Sequence, residues 1–171
     1  YGAALKDDYR YFYGAGFGMA GRGECIARED NYCEIDPNTV DKYGIPVLRF
    51  NYTWSDHEIK QAKHMQDTFE EIIHAMGGIP MGDKPGPERN YGLENPGAII
   101  HEVGTVRMGD DPKRSALNKY NQAHDCNNLF VVDGSSFVTG GRNHPTMTIS
   151  ALAYRCADHL VKAAKTGNVT I

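Results

Sequence analysis

The 171-residue sequence has no apolar run that approaches the length of a membrane span. Lysine and arginine form no cluster and the net charge is -4, so nucleic acid is not the expected partner. No C-x-x-C pair occurs among the four cysteines, Cys25, Cys33, Cys126 and Cys156. Free, partly buried thiols are therefore the reading, and nothing supports a disulfide between Cys25 and Cys33. No G-x-S-x-G is present, so the two serines after Asp133-Gly134 lack the usual setting of a hydrolase nucleophile. His57, His64 and His74 make no i, i+4 metal pair and are read as solvated helix positions. Neither internal repeat nor low-complexity segment appears. The opening YGAALKDDYRYFYGAG carries no start signal and no signal peptide. It reads as mid-strand or mid-loop, and the chain is expected to be the C-terminal piece of a longer protein.

What is present is an ordinary globular composition, 40% hydrophobic and 23% charged. One feature of the front invites a wrong turn. Residues 16–21 fit G-x-G-x-x-G letter by letter. The dinucleotide fingerprint needs a strand before it and a helix opening within it, and no helix can be drawn there. A glycine-rich loop is the reading. Residues 24–36 suggest two short strands about a turn at Glu29-Asp30-Asn31, with a polar connection starting at Asp36-Pro37-Asn38. Leu48, Phe50, Tyr52 and Trp54 then alternate with more polar neighbours, predicting a strand with one apolar face. Ser55 and Glu58 have the spacing of a capping box. The helix it opens bears Ile59, Ala62, Met65, Phe69, Ile72, Ile73 and Met76 on one stripe and stops at Gly77-Gly78. Residues 79–98, rich in proline and glycine, are a loop and a candidate seam between domains. Residues 110–127 are polar without a clear period, and residues 165–171 read as a frayed tail.

The back of the chain holds the chemistry. Ala98-Ile99-Ile100 delivers His101 into a Gly-Thr turn. Leu129 to Val132 reads as a short strand buried on both faces, closed by Asp133-Gly134-Ser135-Ser136. Gly140-Gly141 leads to Asn143-His144-Pro145-Thr146, where a helix starts. Pro145 suits the first turn. Ile149, Leu152, Ala153, Ala157, Leu160, Val161 and Ala164 follow at helical steps. A helix N-terminus presents free N–H groups and partial positive charge, which suit an anion or a ring that becomes anionic. Two histidines beside glycines at loop edges form a candidate pair. A Ser–His–Asp hydrolase built on Ser135 or Ser136, a metal enzyme using His101, His124, Cys126 and His144, and a non-catalytic interaction module are the rivals. The spacings of the second match no standard zinc set.

At H-E-V-G-T-V-R-M-G (101–109), S-A-L-N (115–118), N-L-F-V-V-D-G-S (128–135) and N-H-P-T-M-T-I-S-A-L-A (143–153), the sequence resembles the C-terminal portion of the glucose–methanol–choline (GMC) oxidoreductases. Order and spacing match across these blocks. The front half resembles that family's substrate domain more weakly, and the branch it is most similar to oxidises sugars and polyols. The resemblance implies α/β and α+β architecture. Residues 1–96 would be part of an antiparallel-sheet substrate domain. Residues 97–171 would be the C-terminal strand and helix of a Rossmann-like FAD domain. It implies FAD as cofactor, an alcohol or sugar as substrate, and an electron-acceptor subunit such as a cytochrome as a candidate partner. His101 matches the family's active-site histidine, and His144 a second position occupied by His or Asn. His101 is read as base and His144 as orienting partner, with the reverse assignment open. Asp133, Gly134, Pro145, Thr146 and Met147 match cofactor-contacting positions. No resident metal is implied.

Overall fold

The structure, a computed structural model, describes residues 1–167. It is mixed α and β, with one two-stranded antiparallel sheet. Helix α1 spans Ala3–Phe12, β1 Tyr32–Val40, β2 Pro46–Asn51, α2 Asp56–Ala75 and α3 Thr146–Lys165. Short 3-10 turns occupy Pro87–Gly92 and Gly134–Ser136.

The opening is a helix rather than the strand or loop expected from its tyrosines and glycines. Leu5, Tyr9 and Phe12 recur at helical spacing, and Gly2 and Gly14, both at positive φ, bound the element. All three side chains are exposed. The G-x-G-x-x-G stretch that follows is irregular, as expected, and its last glycine has a different use. A Cβ on Gly21 would overlap Met65 Sδ, and one on Gly23 would lie 2.6 Å from Gln61 Oε1. These glycines let the segment lie directly against α2.

Only one of the two strands expected over residues 24–36 forms. In the other segment, the Ile26 N–H donates to Glu58 Oε1 (3.1 Å) and the Glu24 carbonyl accepts from Gln61 Nε2 (2.8 Å). Its backbone is thus spent on helix side chains instead of a ladder. β1 continues through Asp36-Pro37-Asn38, where a connection was expected. The register shifts between Ile35 and Val40, and Pro37, with no N–H to give, sits in that irregularity. Asp41 closes the hairpin: its carboxylate accepts from the N–H of Tyr43 (2.8 Å) and Ile45 (3.0 Å). The strand expected to reach Trp54 ends at Asn51. Its alternation is as read, with Leu48 opposite Ile35 and Phe50 opposite Cys33. That apolar face is nonetheless open, with Ile35 65%, Leu48 56% and Phe50 66% exposed.

The capping box is formed. Ser55 caps α2, and Glu58 reaches back to accept from the Ser55 N–H (2.7 Å). Gly77, at φ 73°, follows the last turn. Lys84 pairs with Asp67 (2.6 Å) and Glu70 (2.7 Å), and Gln66 donates to the Tyr91 carbonyl (3.1 Å). The proline-rich loop is thereby laid along α2.

Leu129 to Val132 does not form the doubly buried strand expected. Leu129 and Val132 are exposed, and apart from a local turn to Cys126 the segment's backbone pairs, among the described residues, with residues 121–123 alone. A strand of that kind needs neighbours on both edges and cover on both faces, and the described residues supply one edge. The polar stretch 110–127, which showed no period, is instead a tightly bonded loop. Leu117 (1% exposed) and Asn121 (0%) are its centre. Asn121 adopts φ 65°, and its Nδ2 donates to the Val131 carbonyl (2.9 Å). The inward stripe of α3 runs through Ile149, Leu152, Ala153, Cys156 and Leu160, while Ala157, Val161 and Ala164 face out. All four cysteines are free, with Cys126 exposed and Cys156 buried. The expected tail beyond Gly167 lies outside the described residues. Among the described residues, no backbone hydrogen bond joins residues 1–94 to residues 95–167.

Candidate functional site

His101 and His144, separated by 43 positions, are brought together. His144 Nδ1 lies 3.3 Å from His101 Nε2, with the ring centroids 4.9 Å apart and the planes at 82°. At that distance one ring donates and the other accepts, so a single proton lies between them.

The meeting is built by the backbone around Gly134. The N–H groups of Gly104, Val106 and Met108 donate to the carbonyls of Gly134 (3.2 Å), Ser135 (2.9 Å) and Ser136 (3.0 Å). The segment leaving His101 is thus laced to the turn after the apolar run. Gly104, at φ 91°, allows the chain to enter this ladder, and a Cβ there would stand 3.3 Å from the Phe137 carbonyl oxygen. Gly134 is buried. A Cβ on it would meet Val103 Cγ1 at 3.0 Å and Ile149 Cδ1 at 3.3 Å. Val103 is two residues from His101, and Ile149 lies in the first turns of α3, just past His144. One glycine therefore sets how closely the two histidine-bearing segments approach.

Asp133 caps the turn. Its carboxylate accepts from the Ser135 hydroxyl and from the Ser135 N–H (2.8 Å), and these bonds hold it below the usual aspartate range. The Ser136 hydroxyl donates to the Asp133 carbonyl (3.0 Å). Neither serine contacts a histidine, so the hydrolase arrangement is not formed among the described residues. A different Ser–His pair exists, but its bonding rules out a nucleophile. Ser115 donates to the Asp111 carbonyl (2.7 Å), and His124 Nε2 lies 3.1 Å from Ser115 Oγ and 3.2 Å from the Gly109 carbonyl. A carbonyl only accepts, so Nε2 carries the proton and cannot take one from Ser115. Among the described residues, no three His, Cys, Asp or Glu side chains converge as metal ligands.

The N-terminus of α3 begins at Thr146 after a buried Pro145. No side chain caps it, and the N–H groups of Thr146, Met147 and Thr148 find no acceptor among the described residues. Thr146 and Met147 are exposed, Met147 at 80%. This end offers unspent donors and the positive pole of a 20-residue helix. Such a donor set fits the electron-rich pyrimidine edge of a flavin ring better than a neutral apolar group.

Sequence reasoning named both histidines but missed what joins them. Gly104 was legible as a glycine after an apolar run, and its positive φ could have been suspected. Val103 and Leu117 lie inside motif blocks but nothing in those blocks gave them a role, and Asn121 carried no signal that distinguishes it from an ordinary residue.

The comparisons with known proteins bear on the family. A family model described as GMC oxidoreductase matches residues 27–153. The 2-methyl-1,2-propanediol dehydrogenase of Mycolicibacterium austroafricanum is 37% identical over 138 residues, covering 81% of this chain and 24% of that protein. The gluconate 2-dehydrogenase flavoprotein of Pantoea cypripedii is 33% identical over 160 residues, 89% of this chain and 24% of that protein. The fructose dehydrogenase large subunit of Gluconobacter japonicus is 27% identical over 166 residues, 97% of this chain and 29% of that protein. The chain thus spans 24% to 29% of the length of these relatives. The family match and the breadth of these alignments place the chain in the GMC oxidoreductase family, at its C-terminal portion.

Proposed function

We propose that this chain is the C-terminal part of an FAD-dependent oxidoreductase that oxidises an alcohol group of a sugar or polyol, with His101 as base. The observation that carries the reading is the 3.3 Å approach of His101 Nε2 and His144 Nδ1. When bound, FAD supplies at N5 the acceptor for the hydride that leaves the alcohol carbon. The chain's own residues then manage the proton. With His144 Nδ1–H donating to His101 Nε2, His101 holds a lone pair and His144 a donor on facing edges. A hydroxyl oxygen that enters between them gives its proton to His101 Nε2 and accepts from His144 Nδ1. The first contact removes the proton, and the second steadies the negative charge growing on oxygen. Thr146 and Met147 would turn their free N–H groups to the cofactor. Pro145, which has none, shapes the entry, and the Asp133-Gly134 turn would lie beside it.

The domain division belongs to the same reading. Residues 1–96 would form part of the substrate-covering domain, and residues 97–171 part of the FAD domain. Two observations support it: among the described residues backbone bonding does not cross residue 95, and the β1–β2 hairpin leaves an apolar face uncovered. An electron-acceptor subunit, such as a cytochrome, is the proposed partner, because one of the relatives is named as a large subunit.

The test uses the intact polypeptide that carries this segment. It should purify with flavin absorbance and reduce a dye in the presence of sugar or polyol. His101→Ala should retain flavin and lose about 10²–10⁴ in kcat, the range for removing a general base. His144→Asn, which keeps an N–H donor, should turn over faster than His144→Ala. Unchanged turnover in His101→Ala removes that residue from the role. A preparation with neither flavin nor alcohol-dependent dye reduction refutes the proposal.

A further inference from the structure

The facing nitrogens of His101 and His144 have a second chemical capacity. Two imidazole nitrogens on one tetrahedral zinc ion each lie at about 2.05 Å from it. At the observed 3.3 Å separation, an ion at that distance from both subtends an angle of about 107°, close to the tetrahedral value. A hydrogen-bonded His pair and a metal-chelating one therefore share this spacing. The rings stand nearly perpendicular and are not stacked over one another, and His144 is exposed, so the ion has an approach. Neutral imidazole is a favoured ligand of zinc and copper(II), whereas magnesium and calcium select oxygen.

We infer that His101 and His144 form a two-ligand chelating site for a borderline divalent cation, zinc or copper(II), which competes with the alcohol for the same two nitrogens. Binding needs a lone pair on each facing nitrogen, so His144 moves its proton from Nδ1 to Nε2. Among the described residues no third protein ligand joins them, leaving the other positions to water. The site is thus weaker and more readily stripped than a four-ligand structural zinc. Inhibition follows only if the pair is catalytic, as proposed above. Cation binding does not depend on that reading.

Zinc chloride is titrated into the intact polypeptide by calorimetry, alongside His101→Gln, His144→Gln and His64→Gln. His64 is an exposed histidine on α2 and serves as the control. One site is expected in the wild type and in His64→Gln, with affinity lower by tenfold or more in each of the other two. Magnesium chloride should give no binding at this site. Cobalt(II) should show the visible absorption of an imidazole-ligated ion in the wild type, a reading that needs no variant. Equal zinc affinity in all four proteins, loss in His64→Gln, or a wild type without the cobalt band overturns the inference. Weakened zinc binding in His101→Gln with undiminished turnover would leave the cation site standing and remove the catalytic reading. Turnover lost in His101→Gln with unchanged zinc affinity would do the reverse.

Discussion

Glu58→Gln tests how the front of the chain is held to α2. The Glu58 side chain is buried and accepts from three donors: the Ser55 hydroxyl, the Ser55 N–H (2.7 Å) and the Ile26 N–H (3.1 Å). Ile26 bonds to Oε1, and both Ser55 groups bond to Oε2. Glutamine has the same shape but turns one oxygen into an NH₂ donor. In either orientation it opposes a backbone N–H with another donor, at Ile26 or at Ser55. A hydrogen bond to a charged group contributes about 1.5–3 kcal/mol, so a local loss of about 2 kcal/mol is expected. The readout is hydrogen exchange at the Ile26 amide, which should accelerate by roughly thirtyfold. The same geometry fixes the pH dependence. Burial alone would raise the Glu58 pKa, but the bonds from Ser55 and Ile26 outweigh it and hold the group below its usual value. A folded pKa below the unfolded one gives stabilisation that is complete above the ordinary glutamate value of about 4.3. It is lost as pH falls through the lower folded value. Corrected for intrinsic exchange, wild-type protection at Ile26 should therefore decline on acidification, while Glu58→Gln stays flat. Wild-type protection in the variant, or no pH dependence in the parent, would refute the reasoning.

Gly134→Ala brings a methyl to 3.0 Å from Val103 Cγ1 and 3.3 Å from Ile149 Cδ1. Overpacking of about 1–3 kcal/mol, less the small gain from a stiffer unfolded chain, leaves a loss of about 1–2 kcal/mol. Exchange at the Val106 and Met108 amides should rise, and adding Val103→Ala should restore part of the protection; a double variant no better than the single one contradicts the contact. Asn121→Ala removes the bond to the Val131 carbonyl and keeps φ 65°, so it should cost more than Asn121→Gly, by about 1 kcal/mol for the left-handed conformation. Exchange at Val131, whose N–H donates to the Asn121 carbonyl (2.9 Å), reports the difference, and equal rates would remove the backbone term.

Local rules were most legible where a residue's partner lies a few positions away. The capping box of Ser55 and Glu58, the stop at Gly77 and the start of α3 at Pro145 are written in short windows. The sequence also marked His101 and His144 as a candidate pair by their settings beside glycines, but only the motif resemblance put them in one site, because no local rule links residues 43 apart. What failed was whatever depends on distant cover. Leu129 to Val132 has the composition of a doubly buried strand, yet composition does not supply the second neighbour a strand requires. Residues 24–28 read as a strand, but the Ile26 amide goes to Glu58 and the Glu24 carbonyl to Gln61, a choice no propensity encodes. The polar loop 110–127 hid a centre at Leu117 and Asn121 because one leucine among polar residues has no period.

That hidden centre bears on the chemistry. The Arg107 carbonyl accepts from Ala116 (3.0 Å) and Leu117 (3.2 Å), while the N–H of Gly109 donates to the Leu117 carbonyl (2.7 Å). Asn121 bonds the Val131 carbonyl, just upstream of the Asp133 cap. The loop therefore grips both strands of the ladder whose other end carries His101. With His101 and His144 as the reacting pair, as proposed above, their contact would tolerate little drift, since a displacement on the order of 1 Å at a reacting group can cost about 10²-fold in rate. A change at Leu117 or Asn121 touches neither histidine and no substrate. Its effect passes along residues 104–108 and 131–136, so it should lower turnover before it unfolds the chain. A loop that shows no hydrophobic period thus holds the register on which the two histidine-bearing segments depend.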